Sequence, residues 1–304
     1  MVDSAPPVSV VMRSKNSDWV IGQALAGLFS QEFQDFELVV VDSGSTDRTL
    51  DLVRHYPHRL FEIAPEDYHP GPVLNDTIPS CRGEIIVFQN SDAVPLTPHA
   101  LGRLVAAFDD PSVEAAFARQ LPRPDAHAWV RRDYAVSFPE AESTPPWITF
   151  SLPMAAMRKR AWARHPFYSD AWGSEDTEWG HWAGCNGSKI RYVHDALVMH
   201  SHNYTLRQLY GRRFIEGEAD AFIYALPEGL ASTVLRTLAS VARDLAACLR
   251  DRDFADIARV PVRRAVFHWG YLKGHCHGTR RRREGDVDTS VGRETVLRRH
   301  ESNR

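Results

Sequence analysis

The 304-residue sequence has no uninterrupted apolar run long enough to span a bilayer, which argues against an integral membrane protein. Residues Met1 to Pro7 lack the basic-then-apolar order of a secretory leader. Cysteine is scarce and scattered: Cys81, Cys185, Cys248 and Cys276 include no Cys-x-x-Cys pair. Neither a disulfide framework nor a structural zinc site is therefore expected, and a reducing cytoplasm fits. No internal repeat is visible. A Gly-rich phosphate loop is missing after the first apolar segment, where the chain reads Arg13-Ser-Lys-Asn16.

What is present is ordinary for a globular protein, with 43% hydrophobic and 25% charged residues. The length suffices for one large domain, or for one domain with an appendage. Charge is distributed unevenly. From Arg259 to the end there are twelve Lys/Arg against five Asp/Glu, so this region carries about +7 and the remainder about −10. Such a region reads either as a solvated tail or as a surface resting on anionic lipid or a phosphate-bearing acceptor. The acidic remainder disfavours nucleic acid.

Apolar strands alternate with helical periodicity through the first half. Val8–Met12, Phe36–Val41 and Glu84–Phe88 read as strands, with helical patterns between and after them. That order predicts an α/β fold with a mostly parallel sheet and right-handed crossovers. Ligands in such sheets bind beyond the carboxyl ends of the strands, where Arg13-Ser-Lys-Asn16, Asp42-Ser-Gly and Asn90-Ser91-Asp92 fall. The proline-rich residues 119–150 read as a long excursion on the active-site or acceptor side. Leu230, Val234, Leu235, Leu238, Val241 and Leu245 mark one face of a later helix.

Several side chains suit chemistry by their placement. Asp42, closing a strand before a glycine turn, reads either as a turn-capping residue or as an acceptor for a base N–H or ribose hydroxyl. Asp92, after an apolar strand, suits a divalent cation that bridges phosphates, but one carboxylate needs a second ligand. Trp172-Gly-Ser-Glu175-Asp176-Thr-Glu178 opens a helix with three acids. These complement a helix dipole, or one of them serves as a general base. His200 and His202, two residues apart at the end of a short strand pair, fall on one face and suit a ligand role. His275-Cys-His277 has no matching second half.

The order of these segments resembles glycosyltransferase family 2, the inverting enzymes of the GT-A fold. The resemblance is carried by Val8-Ser-Val-Val-Met-Arg13, Val41-Asp-Ser-Gly-Ser-Thr-Asp47, Gly83-Glu-Ile-Ile-Val-Phe-Gln-Asn-Ser-Asp92 and Glu175-Asp176, over roughly residues 8–215. Asp92-Ala-Val-Pro95 and His69-Pro-Gly-Pro-Val-Leu-Asn75 are similar to segments of rhamnosyltransferase-like and galactofuranosyltransferase-like members. The resemblance implies that Asp42 recognises the nucleotide base and that Asp92 binds the metal on the diphosphate. It implies donor-side roles for Arg13, Asn75, Arg82 and Ser91. Asp176 would be the general base, with Glu175 as the alternative, and His200 would complete the metal shell, with His202 as its competitor. The family's Asp-x-Asp reads Asn90-Ser-Asp92 here, one carboxylate short. The Gln-x-x-Arg-Trp signature of processive synthases is absent.

The expected chemistry is a single displacement at the anomeric carbon, assisted by Mn2+ or Mg2+, from a UDP- or dTDP-sugar to a saccharide or lipid-linked acceptor. Arg212 or Arg213 could add a cationic contact to the diphosphate, and Trp172 and Trp179 an aromatic acceptor platform. The expected organisation is a GT-A catalytic domain over 1–225, a helical appendage over 226–279 and a basic, flexible tail over 280–304. The setting is cytoplasmic, with peripheral contact at the inner face of the membrane through the basic C-terminus. Two other classes compete: a sugar-1-phosphate nucleotidyltransferase, and a catalytically silent sugar-nucleotide-binding protein.

Overall fold

The computed structural model describes residues 7–300. The chain forms two compact units. One comprises the residues up to Phe167 together with Glu175–His202; the other comprises Tyr168–Ser174 and the chain from Asn203 onward.

The first unit is an α/β domain. Its strands are β1 (Val8–Ser14), β2 (Phe36–Asp42), β3 (Arg59–Glu62), β4 (Ile85–Gln89), β5 (Val94–Pro95), β6 (Val113–Leu121), β7 (Met154–Arg158) and β8 (Lys189–Met199). Its helices are α1 (Ile21–Phe29), α2 (Thr49–Val53), α3 (Pro70–Thr77), α4 (Ala100–Ala106), α5 (Ala128–Ser137), α6 (Lys159–Arg164) and α7 (Glu175–Cys185). The eight strands make one mostly parallel sheet in the order β3-β2-β1-β4-β7-β6-β8-β5.

The central strands are apolar on both sides because both sheet faces are covered. Val10 and Met12 of β1, Val40 of β2 and Val87 of β4 pack with Ile21, Leu25 and Leu28 of α1 and with Leu101 and Leu104 of α4. Their alternating neighbours Val11, Val39, Ile86 and Phe88 enter a second core with Phe117, Met157 and Trp179. Consequently the polar residues ending β1, β2 and β4 meet at a single edge. Ser14 lies in register with Asp42 there.

Two local readings of the sequence change. Residues 119–150 are not an unstructured excursion: their start completes β6, and Ala128–Ser137 form α5, seated by the buried Trp129 and Val130. Instead of a strand pair before the histidines there is one strand, β8. Its register against β6 jumps from Ala118↔Val193 to Arg119↔Leu197, which marks a bulge.

The second unit is helical, with α8 (Leu206–Ile223), α9 (Leu230–Arg250), α10 (Val260–Glu284) and α11 (Ser290–His300). Thr205 starts α8 with a reciprocal capping box to Gln208. Close approach of α8 and α10 depends on glycine: a Cβ on Gly270 would lie 2.8 Å from the Tyr210 carbonyl oxygen, and one on Gly278 2.5 Å from that of Glu218. The domain boundary therefore falls near Asn203 rather than 225, because α8 packs with the later helices.

The expected flexible tail from 280 is also corrected over its described part. Residues 280–284 finish α10, Gly285 ends that helix in the left-handed region at φ 67°, and α11 follows; 301–304 lie outside the described residues. Arg281 explains why a basic run is ordered here. It is fully buried, donating to Glu218 at 2.7 Å and to the Asp170 carbonyl at 3.0 Å. No helix among the described residues is long and apolar enough to cross a membrane.

Candidate active site

The loops after β1 and β2 are stitched together. Lys15 Nζ donates to the Ser43 carbonyl at 2.6 Å, Asn16 Oδ1 accepts from Thr46 N, and the Ser17 amide donates to Thr49 Oγ1. Gly44 turns at φ 77° with Pro65 against it, so a side chain there would meet both strain and contact. Asp42 is fully buried and accepts from Ser14 Oγ at 2.7 Å, Ser45 Oγ at 2.6 Å and the Ser45 amide at 2.7 Å. Its carboxylate thus sets the shape of the turn. Ser91 joins this platform to the end of β4 through a 2.8 Å contact with Ser17 Oγ.

Asp92 stands beside both histidines. His200 Nε2 lies 3.7 Å from Oδ1 and His202 Nε2 3.4 Å from Oδ2. The imidazoles are perpendicular, with centroids 4.9 Å apart. Pairing of β5 with the end of β8, Val94 opposite Met199, brings the two segments together. Burial opposes ionisation of Asp92, but the charges of His200, His202 and Arg123 outweigh it and hold its pKa below the ordinary carboxylate range.

Three donor atoms, one from each of Asp92, His200 and His202, lie within 4.8 Å of one another and fit a divalent cation. The surroundings reinforce that fit. His200 Nδ1 donates to Gln120 Oε1 at 2.8 Å, so Nε2 is the ring nitrogen turned toward Asp92. Gln120 is itself oriented by donating from Nε2 to Ser151 Oγ at 2.8 Å. His202, expected as a competitor of His200, stands beside Asp92 together with it.

The two candidate bases are distinct in their environments. Glu175 is buried and paired with Arg13 at 2.8 Å. Burial disfavours the Arg13 charge, yet Tyr68, Glu175 and Asp176 raise its pKa above the usual arginine value. Arg13 also donates to the Pro70 carbonyl, so it serves as a brace beside Glu175 rather than as an open donor-side cation. Asp176 accepts the Leu152 amide at 3.2 Å and the Thr177 amide at 2.8 Å, at the start of α7. The short segment Ser151-Leu152-Pro153 therefore touches Gln120, Asp176 and, through the Asn90 amide, the Asp92 loop. Neither Gln120 nor this segment stood out in the sequence; the only signal was a proline-rich stretch.

Other expected site residues have different positions. Asn75 spends its amide on structure: it donates to the Phe167 carbonyl and accepts from the Phe167 amide and Trp162 Nε1. Arg82 precedes β4, at the opposite end of that strand from Asp92, and pairs with Glu37 at the start of β2. Trp172 is buried, packed against Gly292, and offers no open platform. Arg212 and Arg213 both pair with Glu216 within α8, and Arg213 stacks on Phe267 at 3.9 Å. In all five of these residues the side chain is engaged by its own fold neighbours.

The chain is 29% identical over 201 residues to the O-antigen chain rhamnosyltransferase WbaN of Salmonella anatum, covering 62% of this chain and 63% of that one. It is 27% identical over 223 residues to the O-antigen chain rhamnosyltransferase RfbN of Salmonella typhimurium, covering 69% and 71%. The chain thus spans less than two thirds of the first relative's length. In fold it resembles a mannosyltransferase of Pyrobaculum calidifontis solved with GDP-Man and Mn2+ (TM-score 0.65, 19% identity, 91% and 88% of the two chains). It also resembles residues 1–349 of TarS from S. aureus solved with UDP (TM-score 0.53, 19% identity, 91% of each chain). The family model described as glycosyl transferase family 2 matches residues 9–167, more than half of the chain, and the protein is a GT-A-fold glycosyltransferase belonging to that family.

Proposed function

We propose that this protein moves a sugar from a nucleoside-diphosphate donor, a UDP- or dTDP-sugar, to a hydroxyl of a saccharide or lipid-linked acceptor, with inversion at the anomeric carbon. The observation that carries this reading is the convergence of Asp92, His200 and His202 beside the stitched loops that end β1 and β2. A cation held by these three residues would supply neutralisation of the charge that grows on the departing nucleoside diphosphate. Two imidazoles with one carboxylate favour Mn2+ over Mg2+, since Mg2+ takes oxygen ligands.

Asp176 is the base that accepts the proton of the acceptor hydroxyl. Glu175 is not, because removing its charge would leave buried Arg13 unpaired. The amides of Leu152 and Thr177 hold the Asp176 carboxylate in place, so little reorganisation accompanies proton transfer. Asp42 contributes by fixing the Ser43–Ser45 turn against which the donor nucleotide lies. The second histidine argues against a catalytically silent protein, because it compensates for the lost acid. Peripheral membrane contact on the cytoplasmic side, through the basic C-terminal region, completes the reading.

Thermal-shift screening against UDP, dTDP and GDP, with and without Mn2+, tests the donor assignment. A bound nucleotide stabilises the fold by mass action. A Mn2+-dependent rise in Tm with UDP or dTDP is expected; no shift with any nucleotide would overturn the assignment.

A further inference from the structure

Helix α9 has its amphipathicity reversed relative to the fold it belongs to. The side chains it buries are Thr233, Ser240, Asp244 and Cys248. Two of these make polar contacts inward: Ser240 Oγ with His268 at 3.0 Å, and Asp244 with Arg264 at 2.7 Å. The apolar side of the helix faces outward. Val234, Leu235, Leu238 and Leu249 are 46%, 68%, 61% and 60% exposed, and the flanking Leu226 and Phe254 are 66% and 65% exposed. With 21 residues the helix is about 31 Å long, so the ridge far exceeds the scattered exposed leucines of ordinary surfaces.

We infer that this face of α9 lies on an anionic lipid bilayer, with the apolar ridge entering the headgroup boundary and the adjacent arginines contacting lipid phosphates. The inference rests on the membrane contact proposed above and adds α9 to the basic C-terminal region that makes it. Charge selects this occupant over a second copy of the chain. Arg236, Arg243 and Arg250 recur every seven residues, and on a 3.6-residue helix they fall along one margin of the ridge. The helix contributes one acid, Asp244, and that is buried against Arg264. Glu228, Asp244 and Asp251 contact Arg236, Arg243 and Arg250 locally, yet these three arginine side chains stay 48%, 65% and 72% exposed, so their charge still faces solvent. Across a two-fold axis such a margin would meet its own charge, whereas a layer of anionic headgroups complements it. An interfacial helix needs this combination of apolar face and basic margin.

The test is co-sedimentation of the full chain with phosphatidylcholine vesicles, with and without phosphatidylglycerol, for the wild type and Leu235→Asp/Leu238→Asp. Binding to the phosphatidylglycerol vesicles is expected, weakened by salt, and reduced about tenfold or more by the double substitution. Both substituted residues are exposed, so circular dichroism and nucleotide-sugar hydrolysis should stay unchanged. As a second variant, Arg243→Gln/Arg250→Gln should weaken binding to the anionic vesicles alone. Vesicle binding that is absent, or equal in wild type and Leu variants, overturns the inference, as does a dimer that the Leu variants dissociate without altering vesicle binding. Sugar-nucleotide hydrolysis that is absent while vesicle binding persists would instead defeat the glycosyl-transfer reading and leave this one in place.

Discussion

The Nδ1–H of His200 donates to Oε1 of Gln120 at 2.8 Å, between residues eighty positions apart in the chain. This bond fixes which imidazole nitrogen faces Asp92. Because the Gln120 amide is itself held by Ser151, the preference for one tautomer is built in before any ligand arrives.

Gln120→Leu should therefore raise the Mn2+ concentration needed for donor turnover, by about 10- to 100-fold, with little change in the nucleotide affinity measured without metal. Titrating Mn2+ into a nucleotide-sugar hydrolysis assay checks this. An unchanged Mn2+ dependence would show that Gln120 does not position His200.

The neighbouring acids Glu175 and Asp176 should separate by readout. Asp176→Asn is expected to reduce transfer by about 100-fold or more with a near-normal Tm, since it removes a proton acceptor. Glu175→Gln should instead cost on the order of 3 kcal/mol of stability, because it strands Arg13 in a largely buried site. Kinetics and thermal melts of the two variants together make the comparison; a stable, inactive Glu175→Gln protein would reverse the assignment.

Gly274 meets the backbone carbonyl of Phe214 where α10 crosses α8. Gly274→Ala must push the helices apart, and the expected loss is about 1–3 kcal/mol or more. A thermal melt registers it as a lower Tm for the variant. A melt equal to that of the wild type would mean that the two helices do not pack this closely.

Acid should weaken the second unit through His268. Burial, followed by the charges of Arg213, Arg236, Arg264 and Arg243, lowers its pKa from 6.5 to about 4. The unfolded chain binds a proton near pH 6.5 that the folded chain refuses until about pH 4. The contribution of the neutral ring is thus complete above 6.5 and is lost as pH falls through that window. Urea unfolding at pH 7 and pH 5 should show a decline that His268→Gln makes shallower; parallel declines would contradict the assignment.

Much of the catalytic unit was legible because its signals are local. The apolar runs ending in Arg13-Ser14, Asp42 and Asn90-Ser-Asp92 place three polar segments at one sheet edge, and the structure keeps them there. The pair of histidines two residues apart also carried its own signal. Gln120 and Ser151–Pro153 gave none, because their importance lies in hydrogen bonds spanning 80, 31 and 24 residues. The same limit explains Arg82 and Arg281. Residue type suggested a ligand in one case and a solvated tail in the other. Glu37 and Glu218, distant in sequence, decide both. The outward apolar face of α9 was equally hidden, since periodicity shows that a stripe exists but not which way it points.

Asp92, His200 and His202 together are proposed to hold the cation that makes sugar transfer possible. Nucleoside diphosphate release from a nucleotide sugar, measured across a Mn2+ titration for the wild type, Asp92→Ala and His202→Ala, tests this role most directly. Mn2+-dependent release is expected in the wild type, with its loss in Asp92→Ala and a large shift to higher Mn2+ in His202→Ala. Unchanged Mn2+-dependent release in Asp92→Ala would contradict it.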